Sequence, residues 1–490
     1  MGNLGKNLPF SAFLGSEKAK LFINNSLWSL FGATFSKGLM FLSWVLVARI
    51  LGSNGYGQFG IIRSTVIMFA SFAGISLGIT ATKYLSELIG KDDYKAGRIL
   101  ALLNTFGILM GATVSVVFFL LAPWLAVVTL KAPMLTTELR IAALILFFSS
   151  LNGAQIGALQ GLMAFKLIAR INIFQAILSF PLYILGAMYF GVHGSIWAFA
   201  LSYFIICVLS YFALNKEVLR HNLKLDYKSM WREWRLLISY SLPAFLAGIM
   251  YSPVKWITES ILIQKSGFSE MGIFTAVLTI NNIILVGTSM LTGPFVAQMA
   301  RDKFSSSQSF NRFNILGPWI IGVIMVYPFM FFPELGGLIF GKNYIGREFD
   351  ITFSLVLLFT IIVMFKQGLS RIFVIHDLQW LGFFSNLLWC VILIGSFLMF
   401  ELQNSMFLAV SYCIAYIINS LIEIPYFIKR NLIPPKTIET WESFLIWILI
   451  IGSILIGLSV ISILMRIIFL LMFALFFYFL FKRLVLKSYN

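Results

Sequence analysis

The sequence predicts an all-α polytopic membrane protein of about 14 transmembrane helices, each about 20 residues long, as a bilayer core requires. Hydrophobic residues make up 60% of its 490 residues, and charged residues only 11%. Soluble domains carry about 25% charged residues, so a soluble fold could not bury this much apolar surface. Long apolar runs recur along the whole chain.

Each predicted span is a helix, because hydrocarbon forces every backbone polar group to bond within its own segment. No connection between spans is long enough to hold a folded soluble domain. The spans lie near residues 25–47, 58–80, 99–123, 141–163, 171–190, 195–214, 238–262, 272–296, 314–335, 350–370, 380–400, 405–428, 444–462 and 465–482.

Basic residues predict the orientation of the bundle. With the N-terminus in the cytoplasm, most of the 36 Lys and Arg residues fall in cytoplasmic segments, as the positive-inside tendency requires. Both termini are therefore predicted to be cytoplasmic. The net charge of +17 then reflects orientation and attraction to anionic lipid, and no nucleic-acid partner is predicted. The first twenty residues lack the pattern of a cleaved signal peptide.

An internal repeat divides the chain. The segment that begins at Gly55, before span 2, resembles the segment that begins at Gly267, before span 8. Both segments follow an outward span and open an inward one, as a parallel repeat requires. The sequence therefore predicts an N-terminal lobe of spans 1–6 (residues 1–225), a C-terminal lobe of spans 7–12 (residues 226–430) and two accessory helices (residues 431–490).

Three segments carry a family resemblance: VARILG at 47–52, GYG at 55–57 and GITATKYLSE at 78–87. In this order they resemble the N-terminal signature of the Wzx-type polysaccharide and oligosaccharide flippases of the multidrug/oligosaccharidyl-lipid/polysaccharide (MOP) exporter superfamily. The resemblance implies two lobes around a cavity that opens alternately to the two sides of the bacterial cytoplasmic (inner) membrane. Its implied cargo is an undecaprenyl-diphosphate-linked oligosaccharide, moved to the outer leaflet for surface polysaccharide biosynthesis.

The resemblance also implies partners. These are the lipid-diphosphate-linked glycan, membrane lipids, and a polysaccharide polymerase with other assembly proteins. The chain itself is expected to act as a monomer and to need no cofactor beyond a coupling ion, Na⁺ or H⁺.

Three cations are assigned to span interiors: Lys37 in span 1, Arg63 in span 2 and Lys255 in span 7. An ionisable side chain inside a bilayer is costly unless it faces a cavity or a partner. We expect these cations to line the cavity and bind the diphosphate, since Arg offers phosphate two parallel hydrogen bonds and Lys a mobile charge. The alternative for Arg63 is that its side chain snorkels to the outer interface.

Polar residues near these cations suit two further roles. Glu259 lies four residues after Lys255, so the two either form a structural ion pair or Glu259 carries the coupling ion. In span 4, Ser149, Asn152 and Gln160 share an arc of about 80° at about 100° per residue. These three side chains either contact sugar hydroxyls or bond between helices.

Other function classes are less consistent with the sequence. A cation-coupled multidrug or metabolite antiporter of the same superfamily would favour an acidic cavity. A membrane polysaccharide polymerase or ligase would carry a large outer loop, and no enzyme is predicted. The three histidines are scattered and the three cysteines lie in separate apolar runs, so no metal site is predicted.

Overall fold

The computed structural model describes residues 17–73, 75–236, 250–289, 308–375 and 378–486, which form helices, short turns and no strand. The α helices, in chain order, are α1 (Glu17–Ala73), α2 (Ile75–Leu88), α3 (Asp93–Trp124), α4 (Thr136–Gly161), α5 (Phe165–Arg220), α6 (Trp234–Leu236), α7 (Tyr251–Ser289), α8 (Gln308–Phe331), α9 (Glu334–Phe340), α10 (Arg347–Ile375), α11 (Gln379–Met399), α12 (Ser405–Lys429), α13 (Trp441–Leu458) and α14 (Ile463–Leu486).

The number of spans agrees with the prediction. Eleven continuous helical stretches of the described residues are long and apolar enough to cross a membrane. Three of them are broken by a glycine with positive φ, namely Gly52, Gly191 and Gly267, so the eleven stretches hold fourteen helical segments. The all-α polytopic fold is therefore confirmed. Parts of the spans predicted near 238–262 and 272–296 lie outside the described residues.

Two of the breaks are copies of one turn. Gly52 has φ 66° and ψ −179°, and Gly267 has φ 84° and ψ −179°. Glycine is favoured at such angles because it has no Cβ to clash with the backbone. The structural equivalent of Gly267 is thus Gly52, and the predicted match of Gly267 with Gly55 is wrong by three residues.

After these turns, α1 and α7 cross in direct backbone contact. A Cβ added to Gly57 would lie 1.9 Å from the carbonyl oxygen of Phe268, and one added to Gly272 would lie 1.9 Å from that of Ser53. Gly57 and Gly272 are equivalent positions in the two copies, and so are Ser53 and Phe268. Each copy therefore makes the same contact to the other, as at a two-fold interface. The two repeat halves are therefore related by a local two-fold axis that passes through this crossing.

Polar contacts close the same end of the molecule, which is the predicted outer end. Arg49 donates from Nε to the carbonyl of Ile339 at 2.8 Å and from Nη2 to that of Leu338 at 2.9 Å. These carbonyls end α9, where a cation is favoured by the helix dipole. The Tyr344 hydroxyl donates to the carbonyl of Ala48 at 3.5 Å. We call the region around Gly52, Gly267 and these contacts the closed end.

The last two helices, α13 and α14, pack against α8 and α10. The buried Trp319 ring of α8 stacks on Trp447 at 5.3 Å between centroids and meets Phe481 edge-on at 5.5 Å. The accessory pair is thus attached to helices of the predicted C-terminal lobe. The lobe boundaries at 225 and 430 stay predictions.

Filling the crossing should destabilise the fold. We expect Gly57→Ala to lower the free energy of unfolding by about 1–3 kcal/mol, the usual cost of overpacking, because its Cβ has no room. Gly395→Ala is the matched control, since a Cβ there meets nothing within 4 Å. Thermal unfolding of both variants in detergent tests this, and equal melting temperatures would contradict it.

Candidate functional site: a cationic cavity between the repeat halves

A cavity of about 440 Å³ lies between helices of both predicted lobes. We call it the central cavity. The N-terminal repeat contributes both halves of α1 and the second half of α5, and the C-terminal repeat contributes α7 and α10. Its described lining residues are Lys37, Met40, Phe41, Trp44, Arg63, Ile67, Phe199, Tyr203, Thr279, Asn282, Ile283, Leu285, Val286 and Gln367.

Arg63 is held over an aromatic ring at the wall of this cavity. Its guanidinium carbon lies 4.9 Å from the centroid of the Trp44 ring, a cation–π distance. Trp44 is fixed in turn by Tyr183 and Phe59, at 4.8 and 5.2 Å between centroids. The Arg63 Nη1 atom is buried and has no hydrogen-bond partner. Arg63 therefore stacks inside the protein, with one N–H donor that has no partner among the described residues, and does not snorkel to the interface.

Lys37 brings a second positive charge to the same cavity. It is exposed, and the structure records no hydrogen bond or ion pair between it and any described residue. No carboxylate stands among the described lining residues, and Thr279, Asn282 and Gln367 form the polar part of the opposite wall. The central cavity is therefore positively charged on the side of the N-terminal repeat, and polar but uncharged on the side of the C-terminal repeat.

The third predicted cation does not line the central cavity. Lys255 lies behind Arg63, beside a small void that Arg63, Ser64 and Glu259 also line. Its Nζ atom is 3.6 Å from Oε1 of Glu259, whose side chain is only 1% exposed. The Ser64 hydroxyl, on α1, donates to the other oxygen of this carboxylate. The ion pair is thus present within α7, and the Ser64 hydrogen bond joins α7 to α1.

A second cavity, of about 780 Å³, lies within the N-terminal repeat. We call it the amide cavity. Asn152 and Gln160 line it, as does Lys83. Ser149 is absent from its lining, and the Ser149 hydroxyl donates instead to the carbonyl of Leu146 on its own helix at 3.1 Å. The predicted polar arc of α4 is therefore only partly brought together.

The sequence prediction omits cations that lie inside its own predicted spans. Lys366 is not among the three cations assigned to span interiors, although the predicted span 350–370 contains it. Its Nζ atom lies 2.7 Å from Oε2 of Glu423 and donates to Asn419, while Ser385 donates to the other oxygen of Glu423. The span boundaries themselves could have identified Lys366. This charge is neutralised by Glu423 and lines neither cavity.

Comparisons with known proteins give one family match, one similar sequence and several structures of the same fold. Residues 46–346 match a family model described as polysaccharide biosynthesis protein. Over 334 residues the chain is 24% identical to an uncharacterized membrane protein of Methanocaldococcus jannaschii, covering 65% of this chain and 77% of that protein. An inward-facing multidrug resistance MATE family transporter of the MOP superfamily superposes with a TM-score of 0.67 at 14% identity, covering 83% of this chain and 98% of the other.

A second solved structure is a MOP superfamily transporter from Pyrococcus furiosus. It superposes with a TM-score of 0.62 at 15% identity, covering 87% of this chain and 98% of the other. That protein is described as having a binding pocket of reverse polarity, which suggests a different function. Both structures share with this chain the fold of the MOP superfamily.

The Lys255–Glu259 pair makes a testable contribution to stability. We expect Lys255→Met to cost about 3 kcal/mol, because it leaves a buried carboxylate without its cation. Adding Glu259→Gln to this variant should recover part of the loss, since the uncompensated charge is then removed. Thermal unfolding in detergent measures both, with the exposed Lys91→Met as control. A Lys255→Met protein as stable as this control would show that the pair adds nothing.

Proposed function

Because the chain belongs to the polysaccharide biosynthesis protein family and has the fold of MOP-superfamily transporters, we propose that it is a flippase for an undecaprenyl-diphosphate-linked oligosaccharide. It moves this lipid from the inner to the outer leaflet of the bacterial cytoplasmic membrane, with both termini in the cytoplasm, for surface polysaccharide biosynthesis. The observation that carries the proposal is the central cavity, with Lys37 and Arg63 and no carboxylate among its described lining residues.

The chemistry of a lipid diphosphate fits this cavity. Its oxygens accept two parallel hydrogen bonds from a guanidinium such as that of Arg63, and charge-assisted bonds of this kind are about twice as strong as neutral ones. The Lys37 side chain is flexible and ends in an ammonium group with three N–H donors, so it can move with the anion and attract it as a point charge. Because the cavity is flanked by apolar helices, these attractions are screened less than in water. The polyprenyl chain stays in the bilayer.

Transport also requires the two repeat halves to separate at one end and approach at the other. In the structure they are joined at the closed end, through the Gly57 and Gly272 crossing and the Arg49 cap. We infer that the cargo enters from the cytoplasmic side in this state. Release to the outer leaflet then needs the closed-end contacts to break, as a rigid-body rotation of packed lobes would do.

Glu259 is suited to couple this movement to an ion. Its carboxylate is bonded on one side to Lys255 and on the other to Ser64 of the opposite repeat half. Uptake of H⁺, or of Na⁺, by the carboxylate would weaken both bonds together. The ion would thereby loosen the joint between α1 and α7, next to Arg63.

The second candidate is a cation-coupled multidrug antiporter, because a multidrug MATE transporter shares the fold. Cationic drugs require a negative or neutral binding surface, whereas Lys37 and Arg63 would repel them. The charge of the central cavity therefore favours an anionic cargo over a cationic one.

Replacing the cavity cations should stop glycan transport. In liposomes that contain purified protein and a lipid-diphosphate glycan in one leaflet, we expect Arg63→Gln to slow flipping at least about 10-fold. That is the effect of losing a charge-assisted bond of about 1.5–3 kcal/mol. Lys37→Gln should slow it as well. A glycosidase added outside the liposomes reports which leaflet holds the glycan.

Two controls make this experiment decisive. Arg140→Gln removes an exposed arginine that lines neither cavity, and its flipping rate should equal that of the wild type. Export of cationic dyes while the glycan stays in its leaflet would establish the antiporter instead. A lengthened glycan would establish a polymerase.

A cross-link at the closed end should trap the cycle. The hydroxyls of Ser53 and Ser269 lie 2.9 Å apart, close enough for a disulfide, in which the Cβ atoms are about 3.8 Å apart. We expect Ser53→Cys with Ser269→Cys to flip glycan only under reducing conditions, while each single variant is active in both. The native cysteines are buried. Full activity of the oxidised double variant would show that this end does not open.

A further inference from the structure

The amide cavity differs in chemistry from the central cavity. Among its described lining side chains are three amides, Asn152, Gln160 and Asn172, and one cation, Lys83. Backbone of Gly157 on α4 forms part of its wall. Its volume of about 780 Å³ falls within the range of about 300–1,000 Å³ that is usual for small-molecule pockets.

The hydrogen bonds of the amides show what they offer to a ligand. Asn172 makes no hydrogen bond to any described residue, so that both its donor and acceptor groups are available. The Gln160 carbonyl oxygen lies 3.1 Å from the Thr82 hydroxyl, whose proton it shares with the backbone carbonyls of Gly78 and Gly157, so its NH₂ group is left for a ligand. Asn152 donates to Ser210 at 2.9 Å, which leaves its carbonyl oxygen. The cavity thus presents donors and acceptors together, whereas an anion would require donors only.

The wall between α2 and α4 is built from backbone. A Cβ at Gly157 would lie 2.2 Å from the carbonyl oxygen of Gly78, and one at Gly78 would lie 2.9 Å from that of Gly153. Small residues of this kind let two helices approach closely. Backbone of Gly78, Gly153 and Gly157 therefore forms part of the cavity wall, beside the side chains of Thr82 and Gln160.

The two cavities are neighbours on two helices. On α1, Ala33 lines the amide cavity and Lys37 lines the central cavity, one helical turn or about 6 Å further along the axis. On α5, Ile206 and Tyr203 have the same relation. A molecule whose anionic group is bound by Lys37 can therefore extend directly into the amide cavity.

From this arrangement we propose that the amide cavity is the binding site for the sugars of the lipid-linked glycan. The proposal rests on the proposed flippase function, and it separates cargo recognition into two parts. Lys37 and Arg63 bind the diphosphate that every such lipid shares. The amides bind sugar hydroxyls, which both donate and accept hydrogen bonds, and thereby recognise the glycan.

Asn172 is the residue that tests this proposal. Asn152 and Gln160 also have protein partners, so a change at either would disturb helix packing as well. Asn172 has none among the described residues, and a change there affects a ligand first. Asn172→Leu removes both polar groups, and Asn172→Asp keeps the shape while removing the donors. Asn386→Leu on α11 is the matched control, because Asn386 is exposed and lines neither cavity.

The experiment measures binding of two probes to the purified full chain by native mass spectrometry. One probe is undecaprenyl diphosphate, and the other is the same lipid carrying N-acetylglucosamine and two hexoses. We expect the wild type to bind the sugar-bearing probe about 10-fold more tightly. Both Asn172 variants should lose this preference and keep their affinity for the sugar-free lipid. Asn386→Leu should change neither value.

Each result separates this inference from the proposed function. Arg63→Gln should weaken the binding of both probes equally. If it weakens the binding of neither probe, the diphosphate site and the flippase proposal fail. If Arg63→Gln weakens the binding of both probes while the Asn172 variants still prefer the sugar-bearing probe, the flippase proposal stands and the amide cavity is not the glycan site. A wild type that binds the two probes equally would overturn the inference in the same way.

Discussion

The contact on which the rest of the structure depends is the crossing of α1 and α7, where two helices meet without side chains between them. Gly57 and Gly272 allow this approach, and the left-handed turns at Gly52 and Gly267 direct both helices into it. Ser64 lies seven residues beyond Gly57, about 10 Å further along the helix. The crossing therefore places Ser64 against the buried Glu259, and Arg63 beside the cavity between the repeat halves.

The backbone is symmetric at this crossing, but the chemistry is not. In the register set by Gly52 and Gly267, the position of Arg63 in the first repeat corresponds to Leu278 in the second. The second repeat has its own intramembrane cations in Lys255 and Lys366, but Glu259 and Glu423 neutralise them. The positive charges that line the central cavity thus come from the N-terminal half, while the C-terminal half supplies a neutral wall. The two halves of one fold thus differ in the charge that they bring to the cavity.

Much of this could be predicted from the sequence, because hydropathy and charge report directly on membrane burial. The spans and the membrane placement of Lys37 and Arg63 follow from that constraint alone. The sequence could not give the rotation of each helix about its axis, which decides that Lys255 lines the small void behind Arg63 and that Ser149 stays outside the lining of the amide cavity. It also could not give the repeat register, because Gly52 and Gly55 look alike until one of them is seen to have positive φ.

The motifs that carry the family resemblance have different roles in the structure. The first two, at 47–52 and 55–57, contain the Arg49 cap, the Gly52 turn and the Gly57 contact, and no residue of either lines a cavity. They describe how the repeat halves are joined, which any transporter of this design needs whatever it carries. The third, at 78–87, contributes Thr82 and Lys83 to the amide cavity. The identity of the cargo must therefore be sought in that cavity and in the cations beside it, because the closed end contacts neither.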